Sequence, residues 1–217
     1  MCGRFVLAEQ QDAVARAFNA VQMAGVDRSY NIAPTQSVSV VRFHNNTREV
    51  VALRWGLIPS WSKEMPKRTN LINARAETVA TKPSFRVAYK RRRCLIPTNG
   101  FYEWQTVAGQ KQPVYIHFPD QHLFAFAGLW ECWHTEEHVI ESCIILTTEA
   151  NREIQPVHHR MPVILDDEHY GVWLGEQQGD VDALLCPLVD DMLTMYPVST
   201  YVNSPRNNSP DCFKPCG

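Results

Sequence analysis

A cysteine stands at position 2 of this 217-residue chain, and its place more than its type suggests chemistry. Trimming of Met1 would leave Cys2 with a free α-amine and a thiol on adjacent carbons. The ordinary pKa values of those groups, about 7.7–8.0 and about 8.5, leave both partly deprotonated near neutral pH. Toward an aldehyde such a pair reacts in a way closed to an internal cysteine, whose nitrogen is an amide. The amine condenses to an imine, the thiolate attacks the imine carbon, and a thiazolidine ring closes. The competing reading is a cysteine that is merely buried near a chain end. The surrounding MCGRF favours the reactive reading: Gly3 lets the backbone bend into a pocket, and Arg4 puts a cation beside it.

Three further segments carry side chains that could serve such a terminus. NLINARAET sets Asn73, Arg75 and Glu77 at alternating positions, which share one face if the segment is extended. The plain alternative is a solvated polar face. PTNGFYEW places Glu103 among Phe101, Tyr102 and Trp104, where desolvation would raise its pKa and suit it to proton transfer; pairing with an arginine is the alternative. PVHHRMPVIL offers His158 and His159, either able to take or give a proton near neutral pH, and the residues alone do not choose between them. YNIAP and RWGLIPSW add Asn31, Pro34, Trp55 and Trp61. Trp55 lies in a strand pattern and reads as packing, whereas Trp61, in a proline-broken loop, suits base stacking.

The elements that must position these residues read as follows. Residues 9–25 have Val14, Phe18 and Val21 at helical spacing, with Gly25 to end the helix. SVSVVRF and EVVALRWGL form a hairpin across HNNT, and IPSWSKEMPKRTN is an irregular surface loop. A short helix covers 76–81, and Pro83 starts another that runs through Tyr89. CLIP, FYEWQ, PVYIHF, LFAFAGLW and SCIILTTEA are strands, the loop NREIQPVHHRMP leads into VIL, segments near 167–175 and 180–186 are helical, and MYPVSTYV is a last strand. The predicted fold is a single α+β domain over residues 2–217, with a curved, largely antiparallel sheet or barrel and peripheral helices.

Composition narrows the partners. Hydrophobic residues make up 45% and charged residues 20%, the balance of a soluble globular protein, with no signal segment and no apolar run of membrane-spanning length. The seven cysteines follow no zinc framework, Cys212 and Cys216 read as incidental, and His134 and His138 read as surface histidines, so neither a metal nor a cofactor is expected. Net charge is −2, but residues 63–93 hold ten basic residues and two acids, leaving the remainder at −10. A basic patch on an acidic body is the footprint of a polyanion partner.

Taken in order, MCGRF, YNIAP, RWGLIPSW, LINARAET, CLIPTNGFYEW, KQPVYI, FAFAGLWE, the TTEAN region, VHHRMPVIL and YPVSTYVN run from Cys2 to about Asn203. In this the chain resembles the SRAP (SOS response-associated peptidase) family, whose members are abasic-site processing proteins. The resemblance implies that Cys2 links to the open-ring sugar aldehyde of an abasic site in single-stranded DNA. It implies that Asn73 holds the terminus, that Glu103 moves protons, and that His158 acts on the opened sugar. It also implies that Arg4, Arg75 and Arg160 contact phosphates, with Asn31, Pro34, Trp61, Ser84, Phe85 and Trp104 as further candidates along the DNA channel. A monomer in the cytoplasm, or in the nucleus of a eukaryote, is expected, with lyase and self-cleaving peptidase activity as accessory chemistry. Competing expectations are an amidotransferase-like N-terminal-nucleophile hydrolase, a thiol peptidase using Cys2 and His158, and a non-catalytic single-strand-binding module.

Overall fold

The computed structural model describes residues 2–66 and 71–216. In chain order these form β1 (Arg4–Leu7), α1 (Gln11–Ala17), β2 (Val21–Gln22), β3 (Ser29–Ile32), β4 (Ser37–His44), β5 (Thr47–Trp55) and β6 (Asn73–Arg75). Next come α2 (Ala76–Val79), α3 (Arg86–Arg91), β7 (Arg93–Thr98), β8 (Gly100–Val107), β9 (Gln110–His117), β10 (Phe124–His134) and β11 (Val139–Glu149). The last elements are β12 (Arg160–Pro162), β13 (Ile164–Leu165), α4 (Tyr170–Leu174) and β14 (Thr194–Pro197).

The fold is α+β and strand-rich. Alternating valines make β4 and β5 a hairpin, and Asn45 and Asn46 take the two positive-φ positions of its turn, as the sequence predicts. In the larger sheet β11, β10, β7, β4 and β5 lie side by side, and a short parallel pairing of β5 with β11 (Arg54 with Ser142, Trp55 with Cys143) closes them into a barrel. The smaller sheet has the order β14-β9-β8-β1-β3, which makes β1 an inner strand, paired with β8 on one side and β3 on the other.

One apolar core joins the two sheets. Phe5 of β1 packs edge-on against Trp55 (5.1 Å) and Phe126 (6.0 Å), and Phe101 of β8 meets Phe126 at 5.8 Å. Trp55 is fully buried, as expected of packing, and donates its indole N–H to the Ile72 carbonyl at 3.0 Å. Truncating any of these aromatics to alanine should cost about 3–5 kcal/mol. The core therefore grips β1 one residue past Arg4. Gly100 has a local role: a Cβ there would lie 2.5 Å from the Tyr115 ring, so only glycine lets that ring cross the start of β8.

Several expectations change. The helix expected over 9–25 stops at Ala17, because Asn19 takes a left-handed φ of 48° and Val21–Gln22 pair instead with the open side of β5. Val21 is half exposed and faces no core. Glu77 does not share an extended face with Asn73 and Arg75, since the strand ends at Arg75 and Glu77 lies in α2. The helix expected from Pro83 begins at Arg86, after a turn in which Phe85 and Arg86 donate to the Lys82 carbonyl. The last strand ends at Pro197; Thr200–Asn203 form a 3-10 turn. Near 180–186 there is likewise only a 3-10 turn, Asp182–Leu184.

Candidate active site

The β1–β8 ladder pairs Arg4 with Tyr102 and Phe5 with Phe101, which brings the residues ahead of β1 to the Glu103–Trp104 stretch of β8. Cys2 is fully buried there. The Asn73 side-chain amide donates to the Cys2 carbonyl at 2.9 Å, and the Cys2 thiol makes a long contact of 3.8 Å with the Arg4 carbonyl. Asn73 reaches this position because β6 lies beside β11, with Asn73 opposite Ile145.

Glu103 is buried on β8, and burial pushes its carboxyl above the ordinary range, the desolvation expected of a carboxylate among aromatics. Burial, and behind it the negative charge of Glu103, push the Cys2 thiol far above its ordinary value. That burial disfavours the thiolate. Thiol chemistry here needs a neighbour that takes the proton.

His158 follows a tight turn in which Val157 and His158 both donate to the Ile154 carbonyl, and Asn151 accepts from the Ile154 N–H at 3.1 Å. Gln105, two residues beyond Glu103 on the same face of β8, reaches this turn at the Pro156 carbonyl (3.3 Å). Burial pulls the His158 imidazole below its usual value, so the ring is neutral near pH 7. Its Nδ1 lies 2.9 Å from the Arg160 N–H and 3.1 Å from the Arg160 carbonyl. A neutral ring satisfies the closer donor with a bare Nδ1, which leaves the proton on Nε2. His159 is exposed and stacks on His158 at 4.4 Å, so the two histidines that the sequence leaves open differ in burial.

Placement separates the other candidates. Arg160 is buried, and its terminal nitrogens hold Glu77 (2.5 and 3.0 Å) and the Thr147 carbonyl (2.6 Å). Arg4 donates to Asn31 Oδ1 (2.8 Å) and to the carbonyls of Val202 (2.9 Å) and Asn203 (3.1 Å); Asn31 is itself buried. Trp104 spends its indole N–H on Asn203 Oδ1 at 2.8 Å. Phe85 is a core residue, and Pro34 is half-buried beside Thr35. Arg75, by contrast, is exposed and lines a depression of about 370 Å³ with Glu149, Gln155, His159 and Arg160.

Trp61 is 66% exposed and borders a cleft of about 290 Å³, walled by Leu57, Pro59, Pro66, Leu71 and Ser84. The loop beneath it is pinned by Trp133, which donates to the Ser62 carbonyl at 2.7 Å, and by Ser142, which accepts from the Ile58 N–H at 2.9 Å. Of the basic segment, Lys67 and Arg68 lie outside the described residues. Arg92 pairs with Glu131 at 2.6 Å, and Arg93 donates to the Tyr89 and Trp173 carbonyls. Lys63, Arg75, Lys82, Arg86, Lys90 and Arg91 are exposed.

Sequence reasoning passed over Lys111, an exposed cation on β9. Burial is the main cause of the shifts at Glu103 and His158, and the Lys111 charge adds a small lowering at both. No signal beyond its place in KQPVYI marked it. The carbonyls of residues 202–207 that hold Arg4 and Asn31 were also missed, because turn composition does not say what a turn grips. Among the described residues, Asp166, Glu168 and His169 bring possible ligand atoms within 4.8 Å of one another, but all three side chains are on the surface and none belongs to the Cys2 cluster. No helix among them is long and apolar enough to cross a membrane.

Comparisons with known proteins identify the family. The family described as "SOS response associated peptidase (SRAP)" matches residues 1–205. The chain is 42% identical to the abasic site processing protein YoqW of Bacillus subtilis, with 99% of each chain covered. It is 35% identical to the abasic site processing protein HMCES of Xenopus tropicalis, over 85% of this chain and 65% of that one. A crystal structure of a protein from Bacteroides thetaiotaomicron superposes with a TM-score of 0.90 at 26% identity, covering 99% of this chain and all of the other. The chain belongs to the SRAP family.

Proposed function

We propose that this protein processes abasic sites, using Cys2 to form a covalent thiazolidine with the sugar aldehyde in single-stranded DNA. The observation that carries this reading is the burial of Cys2 against Asn73 and a desolvated Glu103, just ahead of the strand that feeds into the core. The names of the relatives, abasic site processing proteins, support the substrate.

Once Met1 is removed, the Cys2 amine attacks the aldehyde carbon to give a carbinolamine. Glu103, its pKa raised by burial, donates a proton to the leaving hydroxyl, and water departs as the imine forms. The resulting carboxylate takes the thiol proton, sulfur attacks the imine carbon, and the ring nitrogen ends protonated or neutral as solvent dictates. Asn73 fixes the backbone that carries both nucleophiles. The neutral His158 hydrogen-bonds through Nε2–H to the ring oxygen as the sugar opens, while water brings a proton to that oxygen and takes one from the anomeric hydroxyl. Arg75 and the exposed cations of 82–91 hold phosphates, Trp61 offers a face to a base, and Arg4, Asn31 and Arg160 act as supports for the reacting residues.

An imine that is not trapped by sulfur acidifies the neighbouring C–H, so strand cleavage by elimination competes as a lyase reaction. A thiol peptidase is the second reading. Against it, the hydrogen bond of the Cys2 thiol runs to the Arg4 carbonyl at 3.8 Å.

The test is incubation with a single-stranded oligonucleotide that carries one abasic site, read on a denaturing gel and by intact mass. A heat-stable adduct lacking one water relative to the summed masses is expected, and Cys2→Ser should abolish it. Turnover of peptides with no adduct would overturn the proposal.

A further inference from the structure

The segment after β14 crosses the outer face of the smaller sheet and is fastened there by side chains well beyond the family match, which ends at residue 205. Phe213 packs against Tyr30 (5.7 Å) and Tyr115 (5.5 Å), and its carbonyl accepts from the Tyr196 hydroxyl at 2.8 Å. Cys212 is fully buried in the same cluster. Asn208 Oδ1 accepts from the Tyr30 N–H at 2.7 Å, and Asn207 Nδ2 donates to the Tyr201 carbonyl at 2.6 Å, closing the loop 201–207 on itself.

The closed loop turns its carbonyls toward two side chains. The Asn31 amide donates to Val202 (3.1 Å), Ser204 (3.0 Å) and Asn207 (2.8 Å), and Asn31 Oδ1 accepts from Arg4. Arg4 also reaches Val202 and Asn203 directly and lies 5.9 Å from the Trp104 ring centre. The three oxygens that Arg4 reaches are a side-chain amide and two backbone carbonyls, so its side chain is clamped by neutral groups of the segment and of β3.

We infer that residues 198–213 form a strap that positions the reactive terminus, acting through Asn31 and Arg4 on Cys2, with Asn207 as its latch. The strap fixes the direction in which the chain leaves β1 and, with it, the Arg4 carbonyl that the Cys2 thiol contacts at 3.8 Å. Among the described residues, none of 198–213 lines the Trp61 cleft, so the strap should govern reaction within the complex and not affinity for the strand. This rests on the reading of Cys2 as the crosslinking residue.

The experiment compares wild type with Asn207→Ala, Asn207→Asp (which lacks the donor at the same size) and Phe213→Ala. Single-turnover adduct formation is measured at saturating abasic oligonucleotide, and affinity is measured with the same oligonucleotide lacking the lesion. The expected result is a rate about tenfold lower in all three variants, with affinity within about twofold. Equal rates would overturn the inference. So would a parallel fall of rate and affinity with a lowered Tm, which would make the strap a general stabiliser. If wild type forms no adduct, the functional reading has failed, and Cys2 alkylation by iodoacetamide, mapped by mass, decides the strap alone. Faster labelling of Cys2 in Asn207→Ala than in wild type would support it, and equal labelling would refute it.

Discussion

The two ends of the candidate DNA path are built in opposite ways. Around Cys2 the groups are buried or half-buried and bonded: Asn73 on the Cys2 carbonyl, Glu103 desolvated, His158 held by the Arg160 backbone, Arg4 and Asn31 strapped from behind. Around Trp61 the side chains stand in solvent, the cleft is apolar, and α3 turns Arg86 and Lys90 outward. Burial shifts proton affinities and fixes angles, which chemistry needs; exposure keeps charge and ring faces available, which strand binding needs. The contrast teaches that rate and affinity should be separable by mutation here.

Glu103→Gln is the sharpest way to break that separation. It should slow adduct formation about 10²-fold, the usual loss for a positioned proton carrier, with single-strand affinity unchanged in a fluorescence anisotropy titration. A matching loss of affinity would mean that the buried cluster also binds the strand. Trp61→Ala should do the reverse. Affinity should fall about tenfold, the value of one stacked base, while the rate at saturation stays within about threefold. Replacing Arg86 and Lys90 together with alanine should weaken binding less at physiological salt and flatten the dependence of log affinity on log salt by about 1.4, at about 0.7 for each phosphate no longer neutralised. An unchanged slope would remove α3 from the path.

The smallest effect is on stability. Glu103 has a folded pKa above its ordinary value near 4.5, so the fold favours the protonated acid. That preference is fully expressed below the ordinary value and is lost as pH rises through the folded one. Glu103→Gln, neutral at every pH, should therefore melt higher than wild type at pH 8, by about 2–4 °C for about 1 kcal/mol, with the difference closing near pH 4. Equal melting at pH 8 would mean that the carboxylate is not held at a cost.

Local patterns were legible where they rest on local physics. The Asn45–Asn46 turn and the alternation of β4 and β5 are written in adjacent residues, and so is the desolvation of Glu103 among aromatics. Barrel closure was not, because the seam joins Arg54–Trp55 to Ser142–Cys143, far apart in the chain and with no marker in either segment. Asn73 and Arg75 keep their shared strand, but Glu77 leaves it, since two alternating steps of polarity do not reveal where a strand gives way to a helical turn. The candidate cations divided by partner: Arg92 found the buried Glu131 and Arg160 the exposed Glu77, acids that no spacing rule links to them. The tail after Asn203 carries no pattern that points to a role, and only the folded chain shows which two side chains the 202–207 turn clasps.

The place of β1 between β3 and β8 has a mechanical consequence. A pull applied at Cys2 enters a strand flanked by ladders on both sides and weighted by Phe5 in the core. Tension directed along that strand shears both ladders together and does not peel them one bond at a time. Under the proposed function, a DNA tether at this point would be moored to an inner strand, and motors that drag on the nucleic acid would have to shear both of its ladders before the protein came loose.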